Sequence, residues 1–243
     1  MCIRDRSGFS IIGGQKIDRY SIYVDRKRSL AKEWDLGYGM SYRFAKDRDF
    51  QTYDKVTGDI PTENTDSRLR EQTANVYVSL SKNYATGTSV SISATGEYYT
   101  IGNYRKWAVY PQASLTYVKS SEHLFQFSLS TDKTYPGYWD MQSSVSHLNG
   151  YTELWGTPGL KPSTAYNLNG NYIWKQKYIF GLFFMHTSDF FVQTGYQSTD
   201  RLALIYKNTN WNYMQMWGTN VILPFKAGNW LDSRLTLVGM QVH

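Results

Sequence analysis

The sequence has little cysteine, few charges and no long apolar run. Its single cysteine, Cys2, excludes a disulfide scaffold. The longest apolar segment, Tyr178 to Met185, is too short for a transmembrane helix. Charged residues make up only 19% of the chain, whereas aromatic residues reach 16%, which argues against a disordered chain. Many aromatics among small polar residues are typical of a β protein, including a barrel that meets lipid on one face and water on the other.

The two ends of the sequence do not look like natural protein ends. Residues 1–6, which include Cys2, contain two Arg and one Asp but no apolar segment, so they are not a secretory signal peptide. We interpret residues 1–6 as a non-native artefact. Because Val242–His243 interrupts an alternating apolar run, we expect residues 7–243 to be a partial barrel domain that is truncated at both ends.

Alternation of apolar and polar side chains, the pattern of a strand, recurs along the chain, whereas helical periodicity is hard to find. Clear alternation covers residues 20–24, 36–44, 74–80, 90–94, 109–117, 125–129 and 166–174. Less regular strands are predicted near Tyr178–Gln197, Arg201–Phe225 and Asp232–Val242. We therefore expect an all-β fold of about ten strands, with apolar segments near the ~10 residues that a tilted strand needs to cross a bilayer.

The lengths of the connections between these strands follow a pattern. Short connections lie near residues 29–32, 83–88, 119–122, 175–177 and 226–229. Long polar stretches run from Asp47 to Ser67 and from Asp132 to Ser163. If the strands alternate up and down, all the short connections fall on one side and both long ones on the other. This sorting predicts an antiparallel up-and-down transmembrane β-barrel with short periplasmic turns and long extracellular loops.

Aromatic residues lie beside the short connections, namely Trp34, Tyr84, Tyr117, Trp174, Tyr178, Phe225 and Trp230. Trp and Tyr favour a membrane–water interface because each combines an apolar ring with a polar tip. The alternative is that strand ends carry aromatics simply because of their β-propensity. The common position beside the short turns favours a belt at the inner membrane–water interface.

The polar faces of the predicted strands carry Ser, Thr, Asn, Gln and Gly rather than the Lys and Glu of a soluble sheet. Small neutral groups suit a hydrated barrel lumen or its contact with an inserted domain. Only a few charges lie well inside strands, among them Arg43 and Glu97.

The segment from Tyr135 to Tyr172 reads YPGYWDMQSSVSHLNGYTELWGTPGLKPSTAYNLNGNY. It resembles the outer-membrane β-barrel domain of TonB-dependent receptor-like proteins of Bacteroidetes-type bacteria. In that family a Pro-Ser-Tyr-Trp-Asp-Leu-like segment precedes a Gly-Asn-Pro-x-Leu-Lys-Pro turn. The matching residues are Pro136, Tyr138, Trp139, Asp140, Gly156, Pro158, Leu160, Lys161 and Pro162, whereas Thr157 and Gly159 depart from the pattern.

The resemblance covers roughly residues 20–242, where Gly96–Tyr98 and Leu223–Phe225 resemble a family strand ending and a later hairpin. It implies a barrel of about 22 strands with an N-terminal plug domain, a periplasmic energy-coupling protein and a small ligand. The plug domain is missing from this sequence, so TonB dependence rests on the resemblance alone.

No catalytic residue, cofactor or metal site is predicted. The histidines His123, His147, His186 and His243 lack metal-ligand spacing, and there is no G-x-S-x-G nucleophile or phosphate-binding glycine loop. Ser143, Ser144 and Ser146 precede His147, which leaves a hydrolase open. Since loop serines mostly cap turns, we favour a non-enzyme.

Acidic residues cluster in the first long connection: Asp47, Asp49, Asp54, Asp59, Glu63 and Asp66. Such a cluster could bind calcium, which takes oxygen ligands, but its spacing is not that of a calcium loop. Interleaved Lys46, Arg48 and Lys55 neutralise much of the charge. We therefore favour a solvated extracellular loop.

The second long connection carries the candidate ligand-binding residues, namely Trp139, Asp140, Tyr151 and Trp155. Aromatic rings on an extracellular loop could stack on a sugar ring or a chelate while a carboxylate fixes its orientation. The alternative, which we favour, is that the segment packs on itself in the barrel mouth.

The formal charge of +6 raises the question of an anionic partner. The basic residues form no stripe with aromatic spacing, so nucleic acid is not expected. Basic groups near the outer leaflet could instead meet the phosphates of lipopolysaccharide. Outer-membrane lipid and lipopolysaccharide are the partners expected besides the plug, the coupling protein and the ligand.

These observations predict part of a receptor or transporter in the bacterial outer membrane that takes up a ligand without changing it. The first alternative is a passive porin or an adhesion-type barrel, which would have no plug. The second is a soluble carbohydrate-binding β-sheet protein, which would not need detergent.

Overall fold

Residues 8–57 and 62–243 are described by a computed structural model, and strands account for most of them. The strands are β1 Gly8–Ser29, β2 Trp34–Thr57, β3 Thr65–Asn83, β4 Ser89–Ile101, β5 Tyr104–Ser120, β6 His123–Thr134, β7 Val145–Asn149, β8 Thr152–Trp155, β9 Ser163–Trp174, β10 Tyr178–Ser188, β11 Phe191–Gln197, β12 Leu204–Asn210, β13 Tyr213–Ala227 and β14 Leu231–Val242. Short 3-10 helices span Ala31–Glu33 and Trp139–Met141. In these ranges no helix has the length and apolar character that crossing a membrane requires.

Ten strands form one antiparallel sheet in the order β1-β2-β3-β4-β5-β6-β9-β10-β13-β14. Within the described ranges β1 pairs only with β2 and β14 only with β13, so this sheet does not close into a barrel. A second, four-stranded sheet has the order β11-β12-β8-β7. The predicted all-β, up-and-down arrangement of about ten strands is confirmed.

All five predicted short connections join neighbouring strands at the same end of the large sheet, which we call the short-turn end. The opposite end, the long-loop end, carries the connections β2–β3, β6–β9 and β10–β13, together with the tight turn between β4 and β5. The predicted sorting of short and long connections is therefore confirmed, and β10–β13 adds a third long connection.

The predicted loop from Asp47 to Ser67 is wrong in its extent. β2 continues to Thr57 and β3 begins at Thr65, with Asp49 paired to Ser67. Strand pairing uses backbone groups, so it continues after the apolar alternation stops. Asp47 and Asp49, expected in a solvated loop, are buried on the inner face of β2, whereas Asp59 lies outside the described residues.

Two of the predicted strands are each two shorter strands. The segment Tyr178–Gln197 divides into β10 and β11, and Arg201–Phe225 contains β12 and β13. Asp189 ends β10 with a left-handed backbone, φ +50°, and its carbonyl accepts a hydrogen bond from Asn210 Nδ2 at 2.8 Å. Such a conformation interrupts a strand, so the chain leaves the large sheet and forms the β11–β12 hairpin.

The two faces of the large sheet differ in chemistry, as predicted. One face, the outward face, exposes apolar side chains in mid-strand, including Tyr38, Met40, Val76, Val78, Ile92, Val109, Phe127 and Leu182. The inner face carries small or polar residues, including Gly37, Ser41, Asn75, Ser79, Ser93, Thr95, Ser128 and Asn171. Because directly paired residues point to the same face, the register collects each set on one side.

A small hydrophobic core lies at the long-loop end. It contains Tyr99 and Ile101 from β4 together with Met141 and Leu160 from the β6–β9 connection. The loop segments therefore fold over the inner face and pack there, which holds the groups described next in place.

Candidate functional site at the long-loop end

Charged side chains from neighbouring strands meet on the inner face below the loops. Arg43 Nη2 on β2 donates to Glu71 Oε1 on β3 at 3.4 Å and to Thr73 Oγ1 at 3.3 Å. The Tyr138 hydroxyl donates to the other oxygen of Glu71, and the Arg43 guanidinium lies 5.4 Å from the Tyr135 ring centre. Burial and the neighbouring Glu71 raise the pKa of Tyr138 to about 12, so its hydroxyl stays protonated and remains a donor.

A second ion pair lies between Glu97 on β4 and Lys133 on β6. Glu97 also accepts hydrogen bonds from the Tyr135 hydroxyl at 2.6 Å and the Tyr110 hydroxyl at 3.3 Å. The Lys133 amine lies 4.4 Å from the Tyr99 ring centre, within cation–π range. Both charges are thus paired while nearly excluded from solvent. We call Arg43, Glu71, Glu97 and Lys133 the luminal charged cluster.

The β6–β9 connection is fastened to the inner face of β2. The Ser146 hydroxyl donates to Gln51 Oε1 at 2.8 Å, and the His147 backbone N–H donates to the Tyr53 hydroxyl at 3.1 Å. The His147 ring stands edge-on to the Tyr53 ring, with centres 5.6 Å apart. Ser146 and His147 of the connection therefore have hydrogen-bond and packing partners on β2.

His147 also faces a buried carboxylate. Its Nε2 lies 3.6 Å from Glu153 Oε1, and Arg201 donates to both oxygens of Glu153 at 2.7 Å, while Trp155 Nε1 donates at 2.8 Å. Burial lowers the pKa of His147, although Glu153 opposes this effect. Burial would raise the pKa of Glu153, but the hydrogen bonds from Trp155 and Arg201 outweigh it and lower the pKa.

The β6–β9 and β10–β13 connections are joined to each other. β8 pairs with β12 in parallel, and Asn208 Nδ2 donates to Asp140 Oδ1 at 2.9 Å. The Thr157 hydroxyl donates to the Asn208 carbonyl at 2.6 Å. Gly156 fits here because a Cβ at this position would lie 2.1 Å from the Gln142 carbonyl oxygen. Both connections therefore contribute to one ordered structure over the inner face.

A cavity of about 380 Å³ opens between the inner face and the β6–β9 connection. Its wall includes Arg19, Arg43 and Glu71 from the strands and Tyr138 and Trp139 from the connection. Two guanidinium groups, one carboxylate and an indole can together bind a ligand that carries negative charge and a flat ring.

The four predicted ligand residues are not gathered in one place. Trp139 lines the cavity, whereas the Asp140 carboxylate bonds Asn208 and the Trp155 indole bonds Glu153. Tyr151 is 63% exposed in the β7–β8 turn. The roles of all four in ligand binding stay predictions, and Trp139 is the one that faces the cavity.

The seven predicted interface aromatics all lie at the short-turn end, in or beside the turns. Trp174 and Tyr178 are paired across the β9–β10 turn, with ring centres 5.2 Å apart. The Lys82 amine lies 6.0 Å from the Trp34 ring centre and 4.7 Å from that of Tyr84. Tyr117, Phe225 and Trp230 are exposed. Their contact with the membrane interface stays a prediction.

Most of the luminal charged cluster was not selected from the sequence as a site. Arg43 and Glu97 attract attention as charges inside alternating strands, but Glu71 and Lys133 fall where the alternation has faded. Their partners come from other strands of the sheet. Among the residues that the structure describes, no group of three or more His, Cys, Asp or Glu side chains is placed to hold a metal ion.

A broad antiparallel sheet with an apolar outward face, a polar inner face and long loops at one end is the wall of a transmembrane β-barrel. A profile of the outer membrane protein beta-barrel family matches residues 9–242. The chain belongs to that family, and its place is the bacterial outer membrane. Comparison with curated protein sequences gives no match.

Solved structures show the same fold at low sequence identity. The siderophore receptor PirA from Pseudomonas aeruginosa matches with a TM-score of 0.63 and 11% identity, over 94% of this chain and 43% of that chain. A ferric enterobactin receptor from Pseudomonas aeruginosa, PfeA, solved with enterobactin, matches with a TM-score of 0.61 and 12% identity, over 93% of this chain and 36% of that chain. The copper transporter OprC matches with a TM-score of 0.61 and 12% identity, over 95% of this chain and 39% of that chain. The chain thus spans about two fifths of the length of these structures.

Proposed function

We propose that this chain is part of the barrel wall of a receptor that takes up a small ligand across the outer membrane, driven by a periplasmic energy-coupling protein. A plug domain would fill the remaining lumen, and no covalent chemistry is performed on the ligand. The chain is similar in fold to siderophore receptors and a copper transporter, and it spans about two fifths of their length. This similarity supports the proposal that the chain is one part of a longer receptor.

One observation carries the proposal: two long connections form a single ordered sheet over an inner face that bears the luminal charged cluster. A passive pore works best with an open, water-filled mouth. A mouth that is covered and lined by fixed charges and an indole is suited to selecting one ligand and holding it.

The ligand that best fits the cavity is an anionic metal chelate with flat rings. Arg19 and Arg43 supply two positive groups against the single carboxylate of Glu71, and Trp139 supplies a ring for stacking. Arginine recognises carboxylates and similar oxygens through paired hydrogen bonds. The siderophore receptors among the similar structures support this class of ligand.

The test is uptake by cells that carry the complete protein, with a panel of radio-iron chelates that includes ferric enterobactin. We expect uptake that stops when a protonophore dissipates the proton-motive force. Arg19→Gln, which changes the cavity but leaves the Arg43–Glu71 pair intact, should reduce uptake about tenfold by removing a charged hydrogen bond to the ligand. Arg105→Gln, a matched change on the outward face of β5, should leave it unchanged. Uptake that persists with the protonophore would instead indicate a passive pore.

A further inference from the structure

Five basic side chains gather on the outward face near the long-loop end, namely Lys16, Lys46, Arg48, Arg68 and Arg70; we call them the outer basic patch. They lie on three neighbouring strands. Lys16 pairs with Arg48 and Arg48 with Arg68, while Lys46 pairs with Arg70 in the next row. All five are exposed, and a shallow groove of about 350 Å³ runs between them. Directly opposed like charges destabilise a sheet, and the carboxylate of Asp66 relieves this only for Arg48 and Arg68.

The carboxylates in this region do not balance the patch. Asp18 and Asp66 pair with three of its members at N–O distances of 2.9 to 3.9 Å. Lys46 lies directly opposite Asp18 in the register, but neither Lys46 nor Arg70 forms an ion pair within residues 8–57 and 62–243. On the outward face five cations stand against these two carboxylates, an excess of three positive charges. Asp47 also borders the groove, but its carboxyl lies on the inner face, where Gln15 Nε2 donates to it at 2.8 Å. The patch can therefore accept an external anion.

The patch lies one membrane thickness from the short-turn end. On β3 the outward residues between Arg70 and Lys82 are Gln72, Ala74, Val76, Val78 and Leu80. A strand of that length covers roughly 40 Å, or roughly 30 Å along the membrane normal at the tilt of barrel strands. The hydrocarbon core of a bilayer is about as thick. Arg70 and Lys82 therefore reach the headgroups of opposite leaflets.

Aromatic residues mark the same level on the outward face. Tyr20 and Phe44 pair directly below the row of Lys46, and the Lys46 amine lies 5.5 Å from the Phe44 ring centre. Trp107, on the outward face of β5 in the next row, that of Tyr42, is 77% exposed. Aromatic rings favour the boundary between hydrocarbon and headgroups, so the cations above them lie among lipid phosphates.

We propose that the outer basic patch binds the phosphate groups of an outer-leaflet lipid, which in the bacterial outer membrane is lipopolysaccharide. Arginine and lysine bind phosphate oxygens through charge-assisted hydrogen bonds, and three arginines in adjacent rows offer several such donors. The patch lies outside the barrel, away from the lumen and its cavity. This inference therefore rests on membership of the outer-membrane family and is independent of the proposed uptake.

The experiment uses the complete protein in detergent and purified lipid A, the phosphorylated anchor of lipopolysaccharide, as the probe. Lys46→Gln/Arg70→Gln removes the two members without an ion pair. Arg26→Gln/Arg28→Gln is the matched control, because these exposed residues lie on the outward face of β1 at the short-turn end. We expect the first variant to bind lipid A about tenfold more weakly than the parent, which corresponds to one lost charged hydrogen bond, and the control to bind as the parent does.

Two further measurements identify what is recognised. Lipid A whose phosphates have been removed should bind the parent as weakly as intact lipid A binds the Lys46→Gln/Arg70→Gln variant. Inorganic phosphate at the same concentration should not compete. Equal binding of intact lipid A by parent and variant would overturn the proposal, as would equal weakening by the control, tight binding without phosphates or competition by free phosphate. An unchanged unfolding midpoint shows that both variants fold.

Discussion

Lys133 on β6 contacts Glu97 on β4 although the whole of β5 lies between their strands. The side chain of Lys133 is 10% exposed and that of Glu97 is 6% exposed. Removing one member of a buried pair leaves an uncompensated charge. Lys133→Met should therefore lower the free energy of unfolding of the complete protein by about 3–5 kcal/mol, measured by urea unfolding in detergent.

The double variant Lys133→Met/Glu97→Gln should recover much of that loss, because no charge is then left alone. Lys177→Met, in the exposed β9–β10 turn, is the control and should change the free energy of unfolding by less than about 0.5 kcal/mol. If Lys133→Met were as mild as the control, the pair would contribute nothing to the stability of the sheet.

Leu182 and Asn171 test which face of the sheet meets lipid. Leu182 on β10 is 69% exposed on the outward face, whereas Asn171 on β9 lies on the inner face opposite Gly181. Leu182→Arg places a charge in the hydrocarbon and should cost about 2–4 kcal/mol of unfolding free energy in the complete protein. Asn171→Arg should cost far less, because the inner face is hydrated. The reverse order, measured in reconstituted membranes, would invert the two faces.

The packing of His147 predicts a dependence on pH. Its pKa in the folded protein lies below the unfolded value of about 6.5, so the unfolded loop binds the proton more readily. The β7–β8 packing should be fully stable above about pH 6.5 and weaken as the pH falls towards the folded pKa. The lowered pKa of Glu153 extends this loss to lower pH. Hydrogen exchange of the β7 and β8 amides in the complete protein measures it.

His147→Gln is the control for this pH dependence. It should remove the part of the loss that begins near pH 6.5 and keep the part at lower pH that belongs to Glu153. Exchange rates corrected for their chemical pH dependence that stay constant from pH 7 to pH 5 in the parent would contradict the prediction.

Gly156 should not tolerate a side chain. A Cβ there would lie 2.1 Å from the backbone oxygen of Gln142, which cannot turn away as a side chain can. We expect Gly156→Ala to loosen the β6–β9 connection and to speed its cleavage in limited proteolysis on intact cells. Gly170→Ala, where a Cβ would meet nothing within 4 Å, is the matched control. Identical cleavage of the two variants would show that the connection adapts to the added atom.

The strands and their order along the large sheet could be predicted well because lipid imposes a simple rule on each residue. Every second side chain from Leu36 to Phe44 is apolar, as expected when alternate residues of a strand face lipid. This alternation predicts both the strand and which of its side chains point outward. Where the strands extend beyond the membrane, their outward side chains need not be apolar and the alternation is lost. Asp47 and Asp49 belong to β2 through backbone pairing, which leaves no apolar pattern to read.

The site at the long-loop end was less predictable for a different reason. Asp140 and Trp155 have side chains suited to ligands, yet their partners Asn208 and Glu153 use those groups for internal hydrogen bonds. The sequence shows which side chains could bind a ligand, but it does not show which of them form hydrogen bonds within the protein. Trp139 alone among the four predicted residues lines the cavity. Trp139 and Asp140 are successive residues of one short 3-10 helix, whose side chains point about 120° apart, so Asp140 reaches Asn208 instead.

The parallel pairing of β8 with β12 joins the β6–β9 and β10–β13 connections into one sheet, although they leave the large sheet at different strands. Neither can swing outward alone without breaking the backbone bonds that link Thr152–Trp155 to Leu204–Lys207. The hydrogen bond from Asn208 Nδ2 to Asp140 adds a side-chain link between the same two connections, next to Trp139. A rearrangement that opens one of the two connections must therefore move the other with it or break this shared sheet.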